Sequence, residues 1–348
     1  MVFFHHWPIE SFQPFGLGIQ RDLHIGVTLF FVLSGFLITY RYQDGYELKK
    51  AWLFQYFRNR FARIYPLYFI LCFLALAPRR DVGLQDWFLN LTLLKGFSDQ
   101  YKFIGIPPSW SLSVEECFYI AAPLIFLVRD RFRALWVPLA GFAVVALLTT
   151  ALGSWLNFQS FLAPWKFVAL YTIFGRFFEF FVGIWLAEVV TGKRRAPAWS
   201  MVKFKTLTGF GGIALTPFVL ATLVGGPYYY GQQHPIGIVW SLFVLPIFVA
   251  LAIHGLMSER TAASSFLSTR FMQFMGKSSY AFYLLHYGWL IPFKTSILLG
   301  GDIFSLFFAV NLLAAAFYKW VEEPLQLFFR GEKPIAKPLR VRKPLSEA

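Results

Sequence analysis

The sequence is poor in charge: only 14% of its 348 residues are Asp, Glu, Lys or Arg, against about 25% in ordinary soluble domains. A water-facing fold would have to leave most of its apolar excess, 57% of the chain, on the surface. Cysteine is almost absent, with Cys72 and Cys117 alone. Neither has metal or redox spacing, so both read as inert thiols in or beside apolar segments. Acidic residues are few, 18 against 32 basic ones, for a net charge of +14. The basic residues gather in short loops between apolar runs, with no stripe or basic helix to follow a phosphate backbone, so nucleic acid is not the expected partner. The phosphate-loop, HExxH, CxxC and GxSxG signatures are missing, and no metal and no tightly held cofactor is expected. MVFFHHWP has neither the basic start nor the long apolar region of a signal peptide.

What is abundant is aromatic and aliphatic side chain. Phe, Tyr and Trp make up 20% of the chain, and mean hydropathy is +0.55. Nine apolar segments lie near 23–40, 64–77, 118–128, 134–152, 167–190, 207–224, 236–254, 280–299 and 303–320. The second and third are short and must extend into polar flanks to cross a core about 30 Å thick. The expected class is an all-α, polytopic membrane protein of nine spanning helices, with Phe3 and Phe4 as the tail of a first helix cut short. One membrane domain is expected over 1–330, and a basic, Pro-rich, disordered tail over 331–348. Run inside to outside from the first full segment, the inner loops hold 23 Lys and Arg and the outer loops 6. That asymmetry predicts a multi-pass protein of the cytoplasmic membrane with its C-terminus in the cytoplasm.

Polar groups at membrane depth are expensive, so each asks for a reason. His5 and His6 end the stub beside Trp7. Thr28, Ser34, Gly35 and Thr39 interrupt the next segment, where small residues ordinarily mean close helix packing. Arg58, Arg60 and Arg63 precede the following one, as a positive-inside anchor or a phosphate site. Trp110, Ser111, Glu115 and Glu116 lie in PPSWSLSVEECFY, where Ser113 and Glu116 have capping-box spacing. Arg176 and Glu179 stand one helical turn apart, an ion pair by default. His286 lies in SSYAFYLLHY, and Glu322 and Glu323 in WVEEP.

The order of these strings resembles the acyltransferase-3 family of integral-membrane O-acyltransferases. GVTLFFVLSGFLIT, FRNRFARIYPLY, WSLSVEECFY, RFFEFFVGIWLA, SSYAFYLLH and EEP follow one another from about His5 to Pro324. The resemblance implies ten spanning helices. It implies transfer of an acyl group, expected to be acetyl, from cytoplasmic acyl-CoA to a hydroxyl of a surface carbohydrate or lipid-linked glycan. Membrane lipid, acyl-CoA and a glycan or glycolipid acceptor are the partners it implies. It assigns the catalytic role to His5, with His6 as the alternative. The acid it puts directly after SLSV is Glu115, which starts its helix at the level of His5 and is expected to hold the imidazole. Arg58, Arg60 and Arg63, at the cytoplasmic entry to their helix, are expected to bind the donor's phosphates, which guanidinium suits. Ser34, Trp110, Ser111, Arg176, Glu179 and His286 are expected as further polar sites, for substrate or for structure. The family's Arg, eleven positions before its His, would precede Met1, so the native frame is expected to extend upstream and encode it. The rival reading is a transporter or flippase, which would use Arg176, Glu179 and His286 without bond chemistry.

Overall fold

A computed structural model describes residues 1–9, 19–43, 46, 49–132, 134–156, 160–195, 201–225, 229–288 and 302–330. The expected tail 331–348 lies outside the described residues. The described residues form an all-α bundle whose principal helices are α1 Val2–His6, α2 Gly26–Tyr42, α3 Lys50–Leu76, α4 Trp110–Phe132, α5 Trp136–Leu156, α6 Ile173–Val190, α7 Lys205–Ala221, α8 Leu245–Ser258, α9 Arg270–Leu285, α10 Ile303–Phe317 and α11 Glu323–Arg330. Further short helices lie at Leu84–Leu91, Trp165–Tyr171, Pro235–Val239 and Ala262–Leu267. A π turn, Trp240–Val244, precedes α8, and another, Tyr318–Glu322, joins α10 to α11.

The polytopic membrane class holds, but the helix number is corrected. Among the described residues, seven helices are long and apolar enough to cross a membrane: Ile19–Tyr42, Lys50–Leu76, Pro107–Phe132, Trp136–Leu156, Trp165–Val190, Pro235–Ser258 and Ile303–Arg330. The two short segments do extend into polar flanks, as Lys50–Leu76 and Pro107–Phe132. The expected span near 207–224 is the one that falls away. α7 has 17 residues, about 26 Å at 1.5 Å per residue. α9 begins at Arg270, ends at Leu285 and carries Lys277, Ser278 and Ser279 in mid-course. Most of 280–299 lies outside the described residues.

Burial sorts the spans into centre and periphery. Two thirds (67%) of the apolar window of Trp165–Val190 is buried in the protein, against 6% for Trp136–Leu156. The latter is exposed along most of its length, at the edge of the bundle. α2 packs on α6 through glycines. A Cβ on Gly35 would stand 2.2 Å from the Phe180 carbonyl oxygen, and one on Gly183 would stand 2.1 Å from that of Val32. Backbones approach this closely only where side chains are missing, the usual device in membranes. α7 and α8 meet in the same way at Gly209 and Gly255. Glu259 then accepts from the Lys205 and Thr206 amides at 2.6 and 2.9 Å, satisfying open donors at the start of α7.

Candidate active site

A cavity of about 640 Å³ runs between α2, α3, α4, α9 and α11. Its walls follow α2 from Val27 to Arg41, about 21 Å of helical rise. One end carries Arg41, Arg60, Arg63, Lys277 and Arg330; the other carries Ser111 and Tyr283. Arg60 donates to Tyr42 Oη at 3.2 Å and lies over the Tyr119 ring at 5.4 Å. It has no carboxylate in salt-bridge range among the described residues. Arg63 pairs with Glu322 at 2.6 Å; that carboxylate is 1% exposed. Arg58 departs from the expected set: its Nε donates to the Phe329 carbonyl at 2.7 Å, and the side chain is not in the cavity wall. Arg58 ties α11 to α3, while Arg60 and Arg63 face the cavity.

Glu115 sits in the cavity wall, where it accepts from Ser34 Oγ at 2.5 Å and from Tyr119 Oη. Proline sets up this arrangement. Pro123 has no N–H, so it frees the carbonyl four residues back, that of Tyr119. Tyr56 Oη donates to that oxygen at 3.0 Å, which fastens α3 to α4 beside the Glu115 cluster. The expected hold of Glu115 on His5 is not made: the carboxylate's partners are a serine and a tyrosine on the cavity side. The capping-box reading of Ser113 and Glu116 is also corrected. The helix already begins at Trp110, and Ser113 Oγ donates to the Leu93 carbonyl at 2.5 Å.

The histidines form a separate cluster beyond the Tyr283 end. His5 Nδ1 lies 2.6 Å from the Arg21 carbonyl oxygen. A carbonyl only accepts, so Nδ1 carries the proton and Nε2 is left with its lone pair. A main-chain oxygen thus fixes the tautomer that a carboxylate was expected to fix. His6 lies 4.7 Å from the His5 ring and stacks on Tyr287 at 4.1 Å; it makes no hydrogen bond among the described residues. His286, 1% exposed, donates from Nδ1 to the Tyr283 carbonyl at 2.7 Å. Trp7 Nε1 donates to the His286 carbonyl at 2.8 Å, anchoring α1 to the end of α9. His24 adds a fourth ring 4.9 Å from His5. Asp22, fully buried, accepts from the Gly231 and Gln232 amides. Among the described residues, no three His, Cys, Asp or Glu side chains are arranged to hold a metal ion.

The other polar sites pair with groups of the protein itself. Arg176 and Glu179 pair at 2.8 Å, 2% and 0% exposed. Thr28 Oγ1 donates to Glu179 at 2.7 Å and accepts from Arg176 at 3.2 Å, so the pair locks α6 to α2. Trp110 packs edge-on against Tyr171, and Ser111 Oγ meets Tyr283 Oη at 2.7 Å.

Sequence reasoning missed Arg41, Lys277, Tyr119, Tyr283, His24 and Asp22, which are ordinary residues until the helices are placed side by side. It also missed Lys95. This lysine is 0% exposed and donates to the Ile104 and Ile106 carbonyls at 2.5 and 2.9 Å. Burial lowers its pKa from 10.5 to about 7. Between those values the unfolded chain holds the extra proton, so this group makes stability rise as pH goes from about 7 toward 10. Lys95→Met should remove that slope. At the alkaline end, where the neutral amine is buried without penalty, it should also lower the melting temperature, because two buried carbonyls lose their donor at about 1–3 kcal/mol each. Parallel melts of both proteins from pH 7 to 9.5 check both effects; parallel curves would show that Lys95 does not cause the slope.

A family described as the acyltransferase domain matches residues 1–319. Among curated relatives, the acyltransferase MdmB of Streptomyces mycarofaciens is 27% identical over 292 residues, 76% of this chain and 67% of that protein. The O-acetyltransferase OatA of Staphylococcus aureus is 25% identical over 330 residues, 87% of this chain. The chain spans about half (52%) of OatA's length. A putative acetyltransferase of Acidianus two-tailed virus is 31% identical over 135 residues, 37% of this chain and 38% of that protein. No solved structure matches the chain.

Proposed function

The chain belongs to the acyltransferase domain family, and from that premise we propose that it moves an acyl group, acetyl in the first instance, from acyl-CoA to a hydroxyl of a surface carbohydrate or lipid-linked glycan. The observation that carries this reading is the polarity of the path through the bundle. Five cations stand at one end of the cavity, and a histidine of fixed tautomer stands beyond the other. The transferase names of the relatives favour bond chemistry over the transporter reading.

The cationic end is the donor's mouth and faces the cytoplasm, in keeping with the surplus of basic residues in the loops on that side. Guanidinium groups meet phosphate oxygens with paired donors. The thioester then lies along the cavity toward Tyr283. At the far side, His5 Nε2 takes the proton of the acceptor hydroxyl as its oxygen attacks the thioester carbonyl carbon. The carbon–sulfur bond breaks, and the CoA thiolate takes the proton back from the imidazolium. An ester and free CoA result, and the histidine is unchanged. Glu115 keeps Ser34 and Tyr119 oriented along the cavity wall.

Arg60→Gln should raise the KM for acetyl-CoA about 10- to 100-fold, since one charge-assisted contact contributes about 1.5–3 kcal/mol. Acceptor KM should stay within about twofold. Arg60 is the informative position, because Arg63→Gln would leave Glu322 buried without its cation. Initial rates against both substrates decide it. Equal changes in the two KM values would take the donor site away from this end.

A further inference from the structure

The Arg21 carbonyl that fixes the His5 tautomer meets a second imidazole as well: His24 Nδ1 lies 3.2 Å from the same oxygen. The peptide bond that supplies this oxygen leads directly into Asp22. Two main-chain contacts hold it in a turn, Asp22 N–H to the Ile19 carbonyl at 3.3 Å and Ile25 N–H to the Asp22 carbonyl at 3.2 Å. The Asp22 side chain then ties this turn to the loop after α7. Its two carboxylate oxygens accept from the Gly231 and Gln232 amides at 3.0 and 3.2 Å. That anchor is stiff. Gln233 Oε1 accepts from the Tyr229 and Tyr230 amides, and a Cβ on Gly231 would stand 2.0 Å from the Leu220 carbonyl oxygen.

Asp22 is 0% exposed, and a buried carboxylate is costly unless its charge is met. The two amides satisfy its hydrogen bonds but not its charge. The groups that can turn positive charge toward it are His5 and Arg21, and the Arg21 guanidinium lies over the Tyr229 ring at 4.4 Å. His5 in turn is faced by Arg21, Asp22 and His24 from the turn and by Tyr230 from the loop. His6 and, one helical turn back, the Met1 amino group face it from its own helix, and His286 from the end of α9. Among these groups Asp22 is the one carboxylate.

We propose that Asp22 is the positioning residue and counter-charge of His5: it braces the Arg21 oxygen that orients the ring, and its buried negative charge stabilises the imidazolium that forms when Nε2 takes the acceptor's proton. This inference rests on the histidine reading above and gives the base the acidic partner that Glu115 does not supply. Asp22 makes no hydrogen bond to the imidazole among the described residues; it acts through the Arg21 oxygen and through space. The proton stays on His5 until the CoA thiolate takes it back, and Asp22 neither gains nor loses one.

Deuterium exchange at each imidazole C2, read by mass spectrometry on the full chain in lipid nanodiscs from about pH 3.5 to 8, gives the titration midpoint of His5 without any substrate. Loss of a nearby negative charge makes an imidazolium harder to form, so in Asp22→Asn that midpoint should fall by about one pH unit. Turnover should fall with it. With water as acceptor, kcat for release of CoA from acetyl-CoA should drop about tenfold or more. KM for acetyl-CoA should stay within about twofold, since the cations of the donor end lie across the cavity. Asp22→Ser keeps an oxygen for one amide and removes the charge; it should give the same shift, and it serves if the asparagine variant does not fold. A brace without a counter-charge would lower the melting temperature and turnover but leave the midpoint in place, and that result would overturn the proposal. A lowered midpoint with full turnover in both Asp22→Asn and His5→Ala would instead overturn the base assignment, and the catalytic use of this charge with it.

Discussion

Replacing His5 with alanine is expected to lower acyl transfer about 10²- to 10⁴-fold, the usual loss when a positioned general base is removed, while the protein still inserts and folds. The expectation rests on the Nδ1 contact to the Arg21 carbonyl at 2.6 Å. That contact commits the ring to one tautomer and leaves Nε2 as a base. His6 has a stacked partner in Tyr287 but no such hydrogen bond among the described residues, so His6→Ala should cost far less. Acetyl-CoA consumption with acceptor present, compared with labelled CoA binding, separates lost chemistry from lost donor. A full rate in His5→Ala with loss in His6→Ala would move the role one residue along. A full rate in both would end the histidine mechanism.

How much of this was legible in the sequence differs from residue to residue. The membrane class was legible, because a shortage of charge and long apolar runs need no tertiary information. The span near 207–224 was misjudged because hydropathy sees composition and not where a helix stops: α7 ends at Ala221 after 17 residues. Arg58 could have been set apart earlier. At 100° per residue, Arg60 and Arg63 stand about 60° apart around α3, whereas Arg58 is about 160° from Arg60. The period alone puts Arg58 on another face, where it meets Phe329. Glu115 is the opposite case. Its depth was readable, but its partners Ser34 and Tyr119 depend on how α4 is rotated against α2. No local pattern encodes that rotation. The tautomer of His5 depends on a main-chain oxygen sixteen residues away, and main-chain oxygens leave no mark in a sequence.

Gly183→Val and Gly35→Val should be strongly damaging substitutions at the α2–α6 contact, and their damage should appear in folding. At Gly183 an added Cβ meets the Val32 carbonyl oxygen at 2.1 Å and the Phe36 nitrogen at 2.6 Å; at Gly35 it meets the Phe180 carbonyl at 2.2 Å. These are backbone atoms, so no side chain can rotate out of the way, and α2 and α6 must separate. Overpacking costs typically 1–3 kcal/mol even where side chains can yield, and valine adds two further methyl groups. Separation would also stretch the Thr28 contacts to Glu179 and Arg176. It would carry Ser34 away from Glu115 as well. Any protein that still folds should therefore transfer poorly, because a displacement of about 1 Å can cost 10²-fold in rate. Gly141→Ala on α5 is the matched control: a Cβ there meets nothing within 4 Å, and alanine in a helix is favoured over glycine by about 0.5–1 kcal/mol. Size-exclusion profiles and melting temperatures of the three purified variants separate the cases. A wild-type melt for Gly183→Val would mean that α2 and α6 are not in backbone contact, and the wall of the cavity that α2 supplies would have to be redrawn.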